Sequence, residues 1–145
     1  MATTSIAYTA AKRVIDLASV MLDETLCTVG WPGDRELVSE MLWVEDIGVE
    51  TEVPVSQGGR HVRNETITLE LGMRVINRED IADTHLRLAE IVAVIEDRFA
   101  LDPGLDGLEG VIFSEVTDHN QTAHLTPEGP VGYGRIGLRI DARLH

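Results

Sequence analysis

Between Glu65 and Phe99 the hydrophobic period of the sequence changes once, and that change fixes a strand followed by a long helix. Ile67, Leu69, Leu71, Met73 and Val75 alternate with Thr66, Thr68, Glu70, Gly72 and Arg74, the two-residue repeat of a half-buried strand. From Ile81 the apolar positions fall instead at steps of four and three, through His85, Leu88, Val92, Ile95 and Phe99, which is one face of a helix. Asn77 stands at the switch as the expected N-cap. Glu79 and Asp80 follow in the first turn, where the helix dipole favours negative charge.

The rest of the chain can be arranged around this unit. Ala7, Ala10, Ala11, Val14, Leu17, Ala18, Met21 and Leu22 form an apolar stripe that predicts a first helix over Ser5–Leu26. Its small residues near the start allow close approach to a sheet or to a neighbouring subunit. Trp31-Pro32-Gly33-Asp34 ends the helical region. A second strand is expected over Met41–Val55, with Ile47, Val49, Thr51, Val53 and Val55 opposite Asp46, Gly48, Glu50, Glu52 and Pro54. Residues 56–60 then form a flexible hairpin loop. Asp102-Pro103-Gly104 breaks the second helix, Val111–Val116 is a short strand, and the polar segment 117–130 reads as a loop. The strand–helix–strand order suggests a crossover connection. In the last segment Ile136, Leu138, Ile140, Ala142 and Leu144 alternate with Arg135, Gly137, Arg139, Asp141, Arg143 and His145, a final strand held by its neighbours. The expected fold is one α+β domain over residues 1–145, a mixed and mainly antiparallel sheet of about four strands packed by two helices.

Composition narrows the function. With 25 acids against 12 bases the formal charge is −13, so nucleic-acid phosphates should be repelled and a DNA or RNA reader is disfavoured. Lys12 is the only lysine. The single cysteine, Cys27, excludes an internal disulfide and a cysteine-based zinc site, and its apolar surroundings suggest a structural thiol. The N-terminal helix carries Lys12, Arg13 and Asp16 in its middle, which argues against a signal peptide or membrane span and points to the cytoplasm or an assembly built there.

No catalytic signature stands out. There is no G-x-S-x-G, P-loop, C-x-x-C or dinucleotide fingerprint. Gly129-Pro130-Val131-Gly132-Tyr133-Gly134 precedes a strand rather than a helix, which fits a turn or bulge. Asp118, His119 and His124 lie close in sequence, leaving open a small metal-dependent enzyme that would use the 118–124 segment. His85 lies on the apolar helix stripe, where a hydrogen-bonded core or interface histidine is expected. Glu50 with Glu52 and Asp80 with Asp83 read as solvated carboxylates, without an apolar pocket to raise one pKa.

Charge placement is more informative than charge number. Asp34, Glu36, Glu40, Glu45, Asp46, Glu50 and Glu52 face one nearby base, Arg35, whereas Arg135, Arg139 and Arg143 face one nearby acid, Asp141. If the two strands are neighbours, these charges pair within the sheet. If they lie on different flanks, one copy can bind the next head to tail and close a ring.

In its order of elements (amphipathic helix, long hairpin, second helix ending near Phe99, two final strands), its length and its acidity, the chain from about Ser5 to His145 resembles the tail terminator proteins of long-tailed bacteriophages, also called tail completion or head-to-tail joining proteins. The resemblance implies a structural virion protein rather than an enzyme. It would form a homohexameric ring at the head-proximal end of the tail, in the neck region, after assembly in the host cytoplasm. Such a ring stops growth of the tail tube protein and joins the tail to a head–tail connector or stopper protein. Double-stranded DNA passes through the lumen, and no cofactor, metal or membrane is implied. Another neck or tail-tube subunit is the alternative within this class. On the ring reading, Arg135, Arg139, Arg143, Glu70 and Arg74 are expected at a subunit seam. Glu50, Glu52 and Glu65 are expected at the lumen, where carboxylates would let DNA slide.

Overall fold

The computed structural model describes residues 5–33, 38–53 and 62–144. The expected hairpin loop at 56–60, the strand end at Pro54 and Val55, Asp34-Arg35-Glu36 and His145 lie outside the described residues. The chain runs α1 (Ala7–Met21), β1 (Leu26–Val29), β2 (Glu40–Glu52), β3 (Arg63–Val75), α2 (Ile81–Leu101), β4 (Val111–Thr126) and β5 (Gly129–Leu144). The strands form one sheet in the order β1-β2-β3-β5-β4. β1 is parallel to β2, and every other pair is antiparallel. The fold is α+β with a mixed, mostly antiparallel sheet, of five strands rather than four.

Both helices pack on one face of this sheet. The alternating residues Ile67, Leu69, Leu71, Met73 and Val75 of β3 and Ile136, Leu138 and Ile140 of β5 are buried there with Leu42 and Val44 of β2. Over them lie Ala7, Ala10, Ala11, Val14, Ile15 and Ala18 of α1 and Leu88, Ile91, Val92, Ile95 and Phe99 of α2. The alanines of α1 therefore serve close approach to the sheet. β3 bonds to β2 along one side and to β5 along the other, and its alternate residues from Glu65 to Val75 are all buried. β3 and β4, joined by α2, run in the same direction with β5 inserted between them, so the crossover spans one intervening strand.

Three local expectations are corrected. α1 ends at Met21 rather than Leu26, and the chain turns back into the short strand β1, whose four half-buried residues show no alternation to read. The helix cap is Asp80, whose carboxylate accepts from the Asp83 amide at 2.7 Å. Asn77 instead adopts a left-handed conformation (φ 61°) and donates from Nδ2 to Ser39 Oγ at 3.0 Å. The polar segment 117–130 is not a loop. Most of it is β4, paired along its length to β5 through a two-residue turn at Pro127-Glu128.

One buried ion pair joins three elements. Glu40, at the start of β2, is 5% exposed and accepts two hydrogen bonds from Arg87 of α2, at 2.7 and 2.8 Å, and one from Thr25 Oγ1 at 2.8 Å. Burial opposes its charge, but the Arg87 and Thr25 hydrogen bonds outweigh it and hold the carboxyl below its ordinary range. The Arg87 guanidinium is correspondingly raised by the hydrogen bonds from Glu40.

Because the Glu40 carboxyl pKa is depressed, its contribution is complete above the unfolded carboxylate value of about 4.3. It is lost as pH falls through the folded value. Replacing Glu40 by Gln leaves the part-buried Arg87 guanidinium with only its longer contact to Glu90, and should cost about 3 kcal/mol at neutral pH. Thermal melts of the two proteins should therefore converge on acidification, and a neutral-pH gap below about 0.5 kcal/mol would contradict this role.

Candidate functional site: the open sheet face

Away from the end where Met41, Trp43 and Arg74 are buried, the face of the sheet opposite the helices is polar and uncovered, as antiparallel sheets commonly allow. Register assigns its residues. β2 contributes Met41, Trp43, Asp46, Gly48, Glu50 and Glu52, opposite Arg74, Gly72, Glu70, Thr68, Thr66 and Asn64 of β3. β5 contributes Tyr133, Arg135, Gly137, Arg139, Asp141 and Arg143 beside the same β3 residues. The acidic and arginine rows thus lie neither on neighbouring strands nor on different flanks. They share one face, with β3 between them.

The arginines expected at a subunit seam have partners within the chain. Arg135 Nη1 meets Glu70 Oε1 at 2.7 Å, Arg139 Nε meets Asp141 Oδ1 at 3.1 Å, and Arg143 Nε donates to Asn64 Oδ1 at 3.4 Å. These groups remain substantially exposed, so solvent screening leaves each intrachain pair little stabilising value. Arg74 is buried on this face, with its guanidinium 3.9 Å from Met41 Sδ. Glu50 and Glu52 are exposed on β2, and neither has an ion-pair partner among the described residues.

Glu65 does not belong with them. Its position in the alternation puts it on the helix side with Ile67, where it is 2% exposed. Its carboxylate accepts from Ser5 Oγ and from the Ile6 amide, both at 3.2 Å, just before α1 begins, with Arg63 at 3.9 Å. The N-cap residue, Ile6, has no side chain that can cap, and within this end of the chain only Ser5 Oγ accepts from a first-turn amide, that of Ala7 at 3.2 Å, among the described residues. Glu65 instead satisfies a free amide and faces the positive end of the helix dipole from across the chain. Its expected lumen role gives way to a structural one, and the strict two-residue period was the signal that marked it.

The seam and lumen candidates on the open face also cannot be separated. A surface that presents Glu50 and Glu52 presents Arg139 and Arg143 with them.

The upper end of this face carries an aromatic group that charge patterning passed over. Trp43 lies flat over Gly72, where an added Cβ would come within 2.5 Å of the indole ring. Trp31 packs edge-on against Trp43 at 4.7 Å, and on the β5 side Tyr133 stacks with His124 at 6.1 Å. Trp31 and Tyr133 are about half exposed. Gly72 within an otherwise regular strand pattern was the readable signal for such a close approach.

The 118–124 residues do not converge on a metal. Asp118 and His124 lie on the open face, whereas His119 turns to α2, 3.5 Å from Glu96. Among the described residues no group of three His, Cys, Asp or Glu side chains is placed to hold a metal ion. His85 is held by Gln121, whose Nε2 lies 2.9 Å from Nδ1 and donates to the His85 carbonyl at 3.0 Å. Asp83 is clamped by Arg78 at 2.9 and 3.0 Å, which holds its carboxyl below the ordinary range, and Asp80 is the helix cap. Burial pushes the Cys27 thiol up to about 11, so it stays protonated at neutral pH.

Among the described residues two sheet edges lack a strand partner at the same level. β1 pairs only with Met41–Val44, so among the described residues no strand pairs with the outer side of β2 beyond Val44. Through the registers, 46–51 of β2 lies level with 118–111 of β4, the opposite edge strand. Ile112 and Phe113 on β4 and Val49 on β2 are exposed along these two stretches.

Compared with protein-family models and with curated proteins, the sequence matches none.

Replacing Gly72 by Ala should lift Trp43 off β3. The expected cost is about 1–3 kcal/mol of overpacking strain, with a red-shifted tryptophan emission as Trp43 and Trp31 gain water. An unchanged spectrum and melt would show that Trp43 is not seated on this glycine.

Proposed function

We propose that this protein is a structural, non-enzymatic virion subunit that forms a ring at the head-proximal end of a long phage tail, ending tube growth and joining tail to head connector. The observation that carries the reading is the pair of free edges at matching height on opposite sides of one sheet. In the sheet β2 and β4 run in opposite directions. A neighbour related by rotation about an axis near the strand direction therefore brings its β2 edge antiparallel to this β4 edge, the more stable kind of ladder. Each contact is heterologous and leaves one edge free at each end until rotation closes a ring. Exposed edges of this length invite such pairing. Six copies is the number implied by the resemblance to tail terminators.

In this ring the helices face outward and the open face lines the lumen. Both charge rows then meet the passing duplex. Asp46, Glu50, Glu52, Glu70, Glu115, Asp118 and Asp141 outnumber Arg74, Arg135, Arg139 and Arg143. The net repulsion of phosphate lets DNA slide without being gripped. Tail tube and connector proteins are the proposed partners at the two ends of the ring.

Electron micrographs of the protein assembled on tail tubes should show rings with a central hole, each of about six subunits, as the resemblance implies. Ile112 is 61% exposed, so Ile112→Glu should leave the melt within about 0.5 kcal/mol while abolishing the rings. Persistence of rings in that variant would rule out the edge contact. A wild-type protein that forms no ring, alone or on tail tubes, would rule out the reading.

A further inference from the structure

We infer that the open face docks against the same face of a second copy, about a two-fold axis running along β3. This contact does not rest on the ring, since it uses the face of the sheet and not its edges.

The placement of the charge rows carries it. Asp46, Glu50 and Glu52 lie on one side of β3, and Arg135, Arg139 and Arg143 lie at a matching distance on the other. A half-turn about β3 keeps each residue at its height and exchanges the two sides. The register then specifies the contacts. Glu52, Asn64 and Arg143 share one level, so Glu52 of one copy faces Arg143 of the other. Gly48, Thr68 and Arg139 share another, which sets Arg139 between Asp46 and Glu50 of the second copy. Trp43, Gly72 and Arg135 share a third, so the Trp43 and Trp31 pair meets Arg135 and its neighbour Tyr133, an arginine–aromatic contact. Every contact occurs twice, and only the half-turn satisfies both rows at once, closing the assembly at two copies.

The partners are free to engage. Glu50 and Glu52 lack a cation among the described residues, and the Arg135 and Arg139 side chains are at least half exposed despite their contacts with Glu70 and Asp141. Glu115 stands beside Arg139 on β4 and competes for it, so the contact should be held by electrostatics that salt can weaken. With β2 and β3 each 13 residues long, the face from β2 to β4 spans about 43 Å by about 19 Å. That is about 800 Å² per copy, the size of a standard specific interface. A ring that turns this face to its lumen cannot hold the pair, so pairing belongs to the free subunit and must be undone before a ring forms.

The test is sedimentation of the full chain at low and high salt. The pair predicts a two-subunit mass at low salt that falls to one subunit at high salt. The double variant Arg139→Glu/Arg143→Glu and the double variant Glu50→Arg/Glu52→Arg should each sediment as one subunit with wild-type melts. Mixed in equal amounts they should recover the two-subunit mass, because both rows are then complementary again. A wild-type monomer at low salt, association that ignores either reversal, or a mixture that stays monomeric or grows beyond two would overturn the proposal. A protein that forms rings but never the pair would overturn the pair and leave the ring standing, whereas the predicted pairing in a protein that forms no ring, alone or on tail tubes, would do the reverse.

Discussion

Both helices of this domain cover the same face of its sheet, and that one-sided burial governs most of what the rest of the chain can do. Each strand must send alternate residues inward, so β3 and β5 carry unbroken rows from Ile67 to Val75 and from Ile136 to Leu144. The other face has no layer to cover it and must be polar, which places the acidic row of β2 and the arginine row of β5 side by side with β3 between them. With the five described strands in an open sheet, two edges also stay without a strand partner among the described residues. A polar face and two free edges are thus consequences of the same packing, and they are the surfaces through which the domain is proposed to meet its own copies.

Where Glu40 and Glu65 enter the covered side, they tie elements together. Glu40 draws together the start of β2, the turn before β1 and the middle of α2 through Thr25 and Arg87. Glu65 does the same for the start of α1. A buried carboxylate with its hydrogen bonds satisfied adds modest net stability, but removing its partner leaves an unpaired charge, so each fixes where its helix sits. The Trp43 ring plays a comparable part on the open side, where it covers Gly72 of β3.

Legibility in the sequence follows the same division. Strands β3 and β5 could be read because one face of each is buried along its whole length, and α2 because Leu88, Val92, Ile95 and Phe99 hold the helical period. β4 could not, because it is an edge strand exposed along most of its course, and DHNQTAH carries no apolar alternation for burial to impose. Its pairing with β5 is a tertiary fact. β1 is too short to show a period. Arg135, Arg139 and Arg143 were recognisable as one row and Glu50 with Glu52 as another, yet their shared face depended on strand order, which local pattern does not carry. Glu65 was the opposite case. The two-residue period put it on the buried face, and its charge suggested otherwise.

The central claim is that the sheet continues from one copy to the next through the free edges at 46–51 and 111–118. Amide hydrogen exchange on the assembled protein, compared with the Ile112→Glu variant, reads this residue by residue. The account predicts slowed exchange in both segments on assembly, alternating along each strand as outward-pointing amides acquire partners. Unchanged exchange at both edges in an intact assembly would contradict it.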